Sequence, residues 1–374
     1  MTQKEFAKPA PQVDALFYKV TALIDNARRH VKTAINLSMV YTYYGIGQYI
    51  VEDEQQGKYR AAYGKHVLET LSTRLTHRYG EGWSVETLKK ARQFYMTYFA
   101  EIGSTVSTQL LYKTNAGENS VYSVDQIPET GVKSPKFVLD WSHYLILMRI
   151  KDRDARRFYE IESFNGNWNV RQLQRQVASS LYERIALSRD KNEVKRLANE
   201  GNVIEKPSDL IKNPLTLEFL GLKPEAAYTE TKLETAIIDK MQEFLLELGK
   251  GFLFEKRQKR FTFDEDHYFV DLVFYNRLLQ CYVLIDLKIN KLTHQDLGQM
   301  QMYVNYYDRY VKQPFEKPTI GILLCKEKKD TMVELTLPQD SNIYATEYAL
   351  YLPDKKELQQ KLQVWIEEFN ADDD

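Results

Sequence analysis

Hydrophobic positions recur at spacings of three and four through most of the N-terminal half of the chain. Over residues 13–35 (VDALFYKVTALIDNARRHVKTAI), Leu16, Val20, Leu23, Ile24 and Ala27 share one face, which predicts an amphipathic helix. The pattern continues over 37–53 and Gly57 closes it; Leu68, Leu71 and Leu75 mark the next helix. After Gly80-Glu81-Gly82, Ser84 stands as the N-cap of a helix with Thr87 and Leu88 in its first turn. Residues 101–137 break the spacing with Gly, Ser, Thr, Asn and Pro, the mark of a long surface loop inserted between helices. Helical spacing returns in DWSHYLILMRI, where Asp140 or Ser142 can cap. It continues through Asp152–Ser163, and a further helix starts near Asn169 and runs to about Leu187.

From Ser188 to Leu222 the chain is polar and carries two prolines, so the domain boundary is expected near residue 200. This gives a helical domain over 1–200, a linker over 201–225 and a second domain over 226–374. There the pattern changes. Leu233–Gly249 reads as one strong helix, stopped by Gly249 and Gly251. Three strand-like runs follow, FLFEKRQKRFTF, YFVDLVFYN and CYVLIDLK, either alternating or continuously apolar. A helix over Gln295–Tyr310, a strand over Thr319–Cys325 and a closing strand around Tyr344–Leu352 complete the order. Such an order predicts an α/β domain with a mixed central sheet and helices on both faces. No internal repeat is visible.

Composition narrows the function classes. The chain has 374 residues, 51 basic against 52 acidic, for a net charge of −1. No global positive field draws nucleic acid to it, so any such contact must come from local patches. No apolar run is long enough to span a membrane, and the N-terminus MTQKEFAKPAPQ lacks the apolar core of a signal peptide. Cys281 and Cys325 both fall in apolar strand-like runs, where a buried free thiol is the default. Cysteines and histidines are too few and too scattered for a zinc site. A reducing compartment, the cytoplasm, is expected.

The chemistry gathers in the second half. Asp271 interrupts the apolar run YFVDLVFYN, and Asp286 and Lys288 end CYVLIDLK. Residues two apart on a strand share a face, so Asp286 and Lys288 converge while Leu287 turns to the core. The short link Arg277–Gln280 makes the two runs a hairpin that brings Asp271 beside Asp286. A carboxylate loses several kcal/mol on leaving water unless it is paired or metal-bound. Two explanations serve. One is a divalent ion, Mg²⁺ or Mn²⁺, held by carboxylate oxygens; the other is a salt bridge of Lys288 with one aspartate at the sheet rim. Glu234, in LETAII, either closes such a site from the preceding helix or is simply solvated. Gln299 and Tyr303 lie four apart on one helix face just beyond the lysine strand.

Glu on a helix, then Asp, then D-x-K, then Q-x-x-x-Y resembles the PD-(D/E)XK nuclease superfamily. More narrowly, LELGKGFLFEKRQKRF, DLVFYNRLLQCYVLIDLK, GQMQMY and IGILLC are similar to the nuclease domain of the bacterial YhcG-like family. WSVETLKKARQFY, DWSHYLILMRI, ARRFYEIE and NWNVRQLQRQVASSLYERI resemble that family's helical N-terminal domain. The resemblance implies a restriction-endonuclease-like second domain and a metal-dependent DNA endonuclease. It implies Asp271 and Asp286 as metal carboxylates with the Leu287 carbonyl, Lys288 as the catalytic lysine, and Glu234, Gln299 and Tyr303 as the supporting set. Gln258 matches a position at the site edge and is expected to contact substrate, with Arg257 and Arg260 as phosphate contacts. One departure stands out: the family mostly carries glutamate where this chain has Asp286.

In the first half, Arg149, Lys151, Arg153, Arg156 and Arg157 crowd into MRIKDRDARRFY, followed by Arg171, Arg175 and Arg184. With Trp141, Tyr144, Tyr159, Trp168 and Tyr182 interleaved, this reads either as a nucleic-acid platform or as a solvated helix face neutralised by Asp152, Asp154, Glu160 and Glu162. On the first of these, Arg156, Arg157, Arg171 and Arg175 bind substrate. His143 is expected to be a packing residue. The expected partner is DNA. A homodimer suits cutting of two strands, and an assembly in DNA repair or phage defence is a further partner class; a non-catalytic binding module is the competing function.

Overall fold

The structure, a computed structural model, describes residues 11–56, 61–102, 136–189, 191–223, 228–263, 265–338 and 340–372. The loop expected at 101–137 therefore lies almost wholly outside the described residues. The chain forms two compact units that divide between Lys151 and Asp152.

The first unit contains α1 (Pro11–Gln56), α2 (Ala61–Tyr79), α3 (Val85–Ile102) and α4 (Trp141–Leu147). The helices expected over 13–35 and 37–53 are one helix of 46 residues, because nothing between them, neither Gly nor Pro, interrupts the backbone hydrogen bonds. Its buried Val40, Tyr44 and Ile50 face Leu88, Ala91 and Phe94 of α3. The two helices approach so closely at Gly47 that a Cβ there would fall on the Ala91 carbonyl oxygen. Around this crossing Tyr44, Phe94, Tyr98, Phe137 and Tyr144 meet edge-on or tilted, with ring centroids 4.9–5.9 Å apart; offset and edge contacts of this kind are the favoured aromatic geometry. Ser84 Oγ accepts from the Thr87 amide at 3.2 Å and caps α3 as expected. Asp140 occupies the N-cap of α4 but makes no side-chain cap bond; its Oδ1 accepts from Asn36 Nδ2 at 2.9 Å.

The second unit opens with four helices, α5 (Arg153–Asn165), α6 (Val170–Ala178), α7 (Leu181–Ala186) and α8 (Lys191–Glu200). The single helix expected over 169–187 is split at Ser180, which takes φ 52°. The expected boundary near residue 200 and linker over 201–225 are not where the compact units part: these helices belong with the sheet, and β1 (Leu215–Thr216) pairs at the sheet's edge. Polarity here does not mean solvation. Glu162 accepts from the Asn202 amide at 2.8 Å and from Lys250 Nζ at 2.6 Å, and Arg189 pairs with Asp209.

After α9 (Glu230–Asp239) and α10 (Met241–Leu248), separated at Lys240, come β2 (Phe252–Phe263), β3 (Asp266–Asn276), β4 (Cys281–Lys291), α11 (His294–Tyr310), β5 (Ile320–Glu327), α12 (Asp330–Thr336), β6 (Ile343–Ala349) and α13 (Lys355–Asp372). The sheet has six strands in the order β1-β6-β5-β4-β3-β2. Strands β2, β3 and β4 run antiparallel in sequence, and β4, β5, β6 and β1 are parallel. The mixed sheet is as the pattern predicted. Alternation along β4 divides the core: Val283, Ile285 and Leu287 pack with Leu233, Ile237 and Phe244 of α9 and α10, while Leu284 packs with Leu297, Met300 and Tyr303 of α11. Cys281 and Cys325 are buried free thiols, and burial pushes them up to about 11 and about 12, which keeps them unreactive at neutral pH. No helix among the described residues is long and apolar enough to cross a membrane.

Candidate active site

The ladder between β3 and β4 runs from Asn276 opposite Cys281 to Leu272 opposite Ile285, and there it ends. One step further in the same register, Asp271 faces Asp286. At this point the strands part: β3 continues with β2 to its tip, and β4 continues with β5 through Asp286 opposite Leu323 and Lys288 opposite Cys325. A parted ladder leaves a backbone donor in need of an acceptor. Asp271 supplies it, its Oδ2 accepting from the Leu287 amide at 2.8 Å. The two strand motifs thus meet at a fork in the sheet, which explains why charged residues sit in runs otherwise built for burial.

Asp286 is buried, with 4% of its surface exposed. Lys288 Nζ lies 2.8 Å from Asp286 Oδ2 and 3.7 Å from Asp296 Oδ1. Burial, and then the neighbouring Asp271 carboxylate, push Asp286 up to about 7, and the lysine only partly opposes them. Desolvation acts to lower the Lys288 ammonium, but Asp286 outweighs it and holds the group above the ordinary lysine range. Of the two explanations for the D-x-K pair, the ion pair is present. It leaves the carboxylate pair short of positive charge.

Glu234 projects from α9 and is buried; Arg257 Nε donates to its Oε1 at 2.7 Å and Gln258 Nε2 to its Oε2 at 2.9 Å. The same Gln258 nitrogen donates to Asp271 Oδ1 at 2.8 Å. Glu234 is therefore not a solvated helix residue but lies one hydrogen-bonded step from Asp271. On the other side of the sheet, the Gln299 amide donates to the Tyr303 hydroxyl. Burial, reinforced by Asp286, pushes the Tyr303 phenol up to about 12, so it remains protonated at neutral pH. Asp296, which sequence reasoning missed, sits beside Lys288 and closes a capping box with Thr293 at the start of α11; the T-x-x-D spacing was the available signal.

The expected substrate-binding arginines separate. Arg257 is tied to Glu234 and Thr235, and Arg260 Nη2 lies 2.8 Å from a ring nitrogen of His267. Arg171 is exposed and Arg157 half-buried. Arg156 and Arg175 are turned inward. Arg156 is buried in α5, and Arg175 is spent on Glu218 at 2.9 Å and Glu247 at 2.8 Å. Arg184 is fully buried, 2.5 Å from Glu247. Tyr144, Tyr159 and Tyr182 are core residues, as is His143. Of this basic stretch, Arg156 and Arg184 are buried and Arg175 is paired internally, while Arg149, Lys151 and Arg171 are exposed.

Among the described residues no three His, Cys, Asp or Glu side chains converge closely enough to enclose a metal. What the fork offers is a pair of carboxylate oxygen donors, Asp271 and Asp286, whose charge is under-compensated. That set fits a hard divalent cation that keeps much of its water, and not zinc in a closed site.

Residues 208–363 match the family model of the YhcG PDDEXK nuclease domain, and residues 19–184 match the DUF1016 N-terminal domain. A protein of Escherichia coli (strain K12) named "Putative nuclease YhcG" is 38% identical over 350 residues, covering 91% of each chain. The chain belongs to the YhcG family. Two solved structures are also similar: a repair endonuclease from Pyrococcus abyssi (19% identity, 34% of this chain, TM-score 0.23) and an EndoMS–dsDNA2 complex (18% identity, 35% of this chain, TM-score 0.24). The match spans 50% and 48% of those chains. As a YhcG-family member the chain carries a PDDEXK nuclease domain, a class that generally uses divalent metals, and the carboxylate fork lies within the matched span.

Proposed function

We propose that this YhcG-family chain is a Mg²⁺- or Mn²⁺-dependent endonuclease that hydrolyses DNA phosphodiester bonds at the Asp271–Asp286 fork. The observation that carries this is the in-register pair of carboxylates, Asp286 buried and Asp271 half-buried, with Lys288 beside Asp286. Burial and mutual repulsion raise Asp286 to about 7, and a cation would remove both penalties. Asp271 and Asp286, with the Leu287 carbonyl, would hold it. When bound, it supplies Lewis acidity toward a phosphoryl oxygen and lowers the pKa of water. The chain's own groups do the rest. Lys288 presents a permanent positive charge to the phosphoryl oxygens, Asp296 and Asp286 fix its position, and the Gln299–Tyr303 pair sets the wall of the site with a neutral hydroxyl. Arg257, Arg260, Arg157 and Arg171 remain the proposed phosphate contacts, and the N-terminal unit is proposed to position DNA or a protein partner.

The test is cleavage of supercoiled plasmid and of short DNA duplexes by purified protein with Mg²⁺ or Mn²⁺. Activity should appear with metal, vanish with chelator, and vanish in Asp271→Ala and Lys288→Ala. Cleavage that persists in both variants would sink the site assignment. Metal binding without cleavage in the wild type would point instead to a binding module or to a subunit that cuts only within an assembly.

A further inference from the structure

Consecutive residues of an extended strand point to opposite faces of a sheet, yet Arg257 and Gln258 both reach the one carboxylate of Glu234. The backbone of β2 makes this possible. Its register against β3 slips between Phe254 and Lys256, and Gln258 takes φ 47°, in the left-handed region. A side chain other than glycine occupies that region inside a strand only when its surroundings hold it there, and such residues gather at functional sites. The register also decides what Gln258 meets. Arg257 opposite Leu272 and Lys259 opposite Val270 bracket it, so it faces Asp271. The turned amide lies between two carboxylates and donates to Glu234 Oε2 at 2.9 Å and Asp271 Oδ1 at 2.8 Å. The other Asp271 oxygen accepts from the Leu287 amide at 2.8 Å, so that carboxylate is fixed at both ends. An amide does this without adding charge; a lysine in the same place would neutralise the pair and compete with a cation.

We propose that Gln258 is a positioning residue: a neutral clasp that ties Glu234 to Asp271 across the fork and sets the Asp271 carboxylate for cation binding. This replaces the substrate contact expected for it. Its purpose rests on the metal-nuclease reading above; its geometry does not.

Glycine distinguishes a clasp from a brace, because it removes the amide while welcoming the positive φ. Full-length Gln258→Gly and Gln258→Asn are compared with wild type in three measurements: metal-free melting temperature, the Mn²⁺ concentration that half-raises that temperature, and a crystal structure of the glycine variant. Asparagine tolerates positive φ, but its shorter side chain cannot span both carboxylates. For the glycine variant the metal-free melting temperature should match or exceed wild type. The Mn²⁺ midpoint should rise by about tenfold or more in both variants, as loss of a group that orients a ligand does. The Asp271 or Glu234 carboxylate should be turned from its wild-type position. Carboxylates unmoved with an unchanged Mn²⁺ midpoint overturn the proposal. So does metal-free melting of both variants far below wild type, which marks a structural brace. If the wild type shows no Mn²⁺ response, the metal-nuclease reading falls, and the carboxylate positions in the variant structure still decide the clasp.

Discussion

Two buried acidic centres in the second unit are built from the same chemistry and balanced in opposite ways. Glu247, fully buried on α10, accepts from Arg184 at 2.5 Å, from Arg175 at 2.8 Å and from the Thr216 amide at 2.9 Å, and Lys212 donates to its backbone carbonyl. Burial acts to raise this carboxyl, yet Arg184, Lys212 and Arg175 together hold it down at about 2. Asp286 has comparable burial, a single cation and a second carboxylate for a neighbour, and it rises to about 7. The first centre is over-supplied with positive charge and ties α6, α7, α10 and β1 together. The second is under-supplied, at the point where the sheet opens. Burial of a charge does not by itself mark function; the proposed site rests on an uncompensated charge at a fork in the sheet.

The contrast is broken most forcefully at Glu247. Glu247→Ala leaves the buried Arg184 without its carboxylate and Arg175 with Glu218 alone, and a loss of about 3–5 kcal/mol is expected in urea unfolding; a loss under about 1 kcal/mol would show that the cations find other partners. At the fork the effect should fall on rate. Asp286→Ala should lower DNA cleavage at least ~10³-fold, about 4 kcal/mol of barrier, while the melting temperature holds, and a matched collapse of both would erase the distinction.

Acid sharpens it next. The Glu247 carboxyl is depressed, so its stabilisation is complete above about 4.5 and is lost as pH falls toward about 2. It amounts to on the order of 3 kcal/mol, and Glu247→Gln should show a flatter acid limb than wild type in denaturation at pH 2–5. The smallest effect has the opposite sign. Asp286 is raised from 3.8, so between there and about 7 the folded state binds more protons than the unfolded state. The metal-free protein should lose stability as pH rises through that window. Metal-free Asp286→Asn should gain about 1–2 kcal/mol at pH 8 and nothing at pH 4, the gain trimmed because Lys288 loses a partner.

How legible each centre was follows from sequence distance. Asp271, Asp286 and Lys288 stood out because charges interrupt apolar strands, and the short turn Arg277–Gln280 joins them; local pattern sufficed. Glu247 lies 63 residues from Arg184 and 72 from Arg175, so those arginines read as surface positives until the fold supplied their partner. The same blindness hid β1 inside a stretch that looked like a linker, since polar groups of that stretch are satisfied by contacts such as Glu162 with Asn202. The mixed sheet and the helix over α11 were plain from periodicity. The slip in β2 and the turned backbone of Gln258 were not, because a bulge leaves the residue alternation of a strand almost intact.

One feature of the first unit offers an experimental handle on its unknown role. With Gly47 pressed against the Ala91 carbonyl, the α1–α3 crossing tolerates one residue type. Replacing that glycine with a bulky side chain would spring the helix pair apart from within, far in sequence from the fork. The pair thus carries an off-switch of its own, by which cells or test tubes can be asked what the helices contribute while the carboxylates are left untouched.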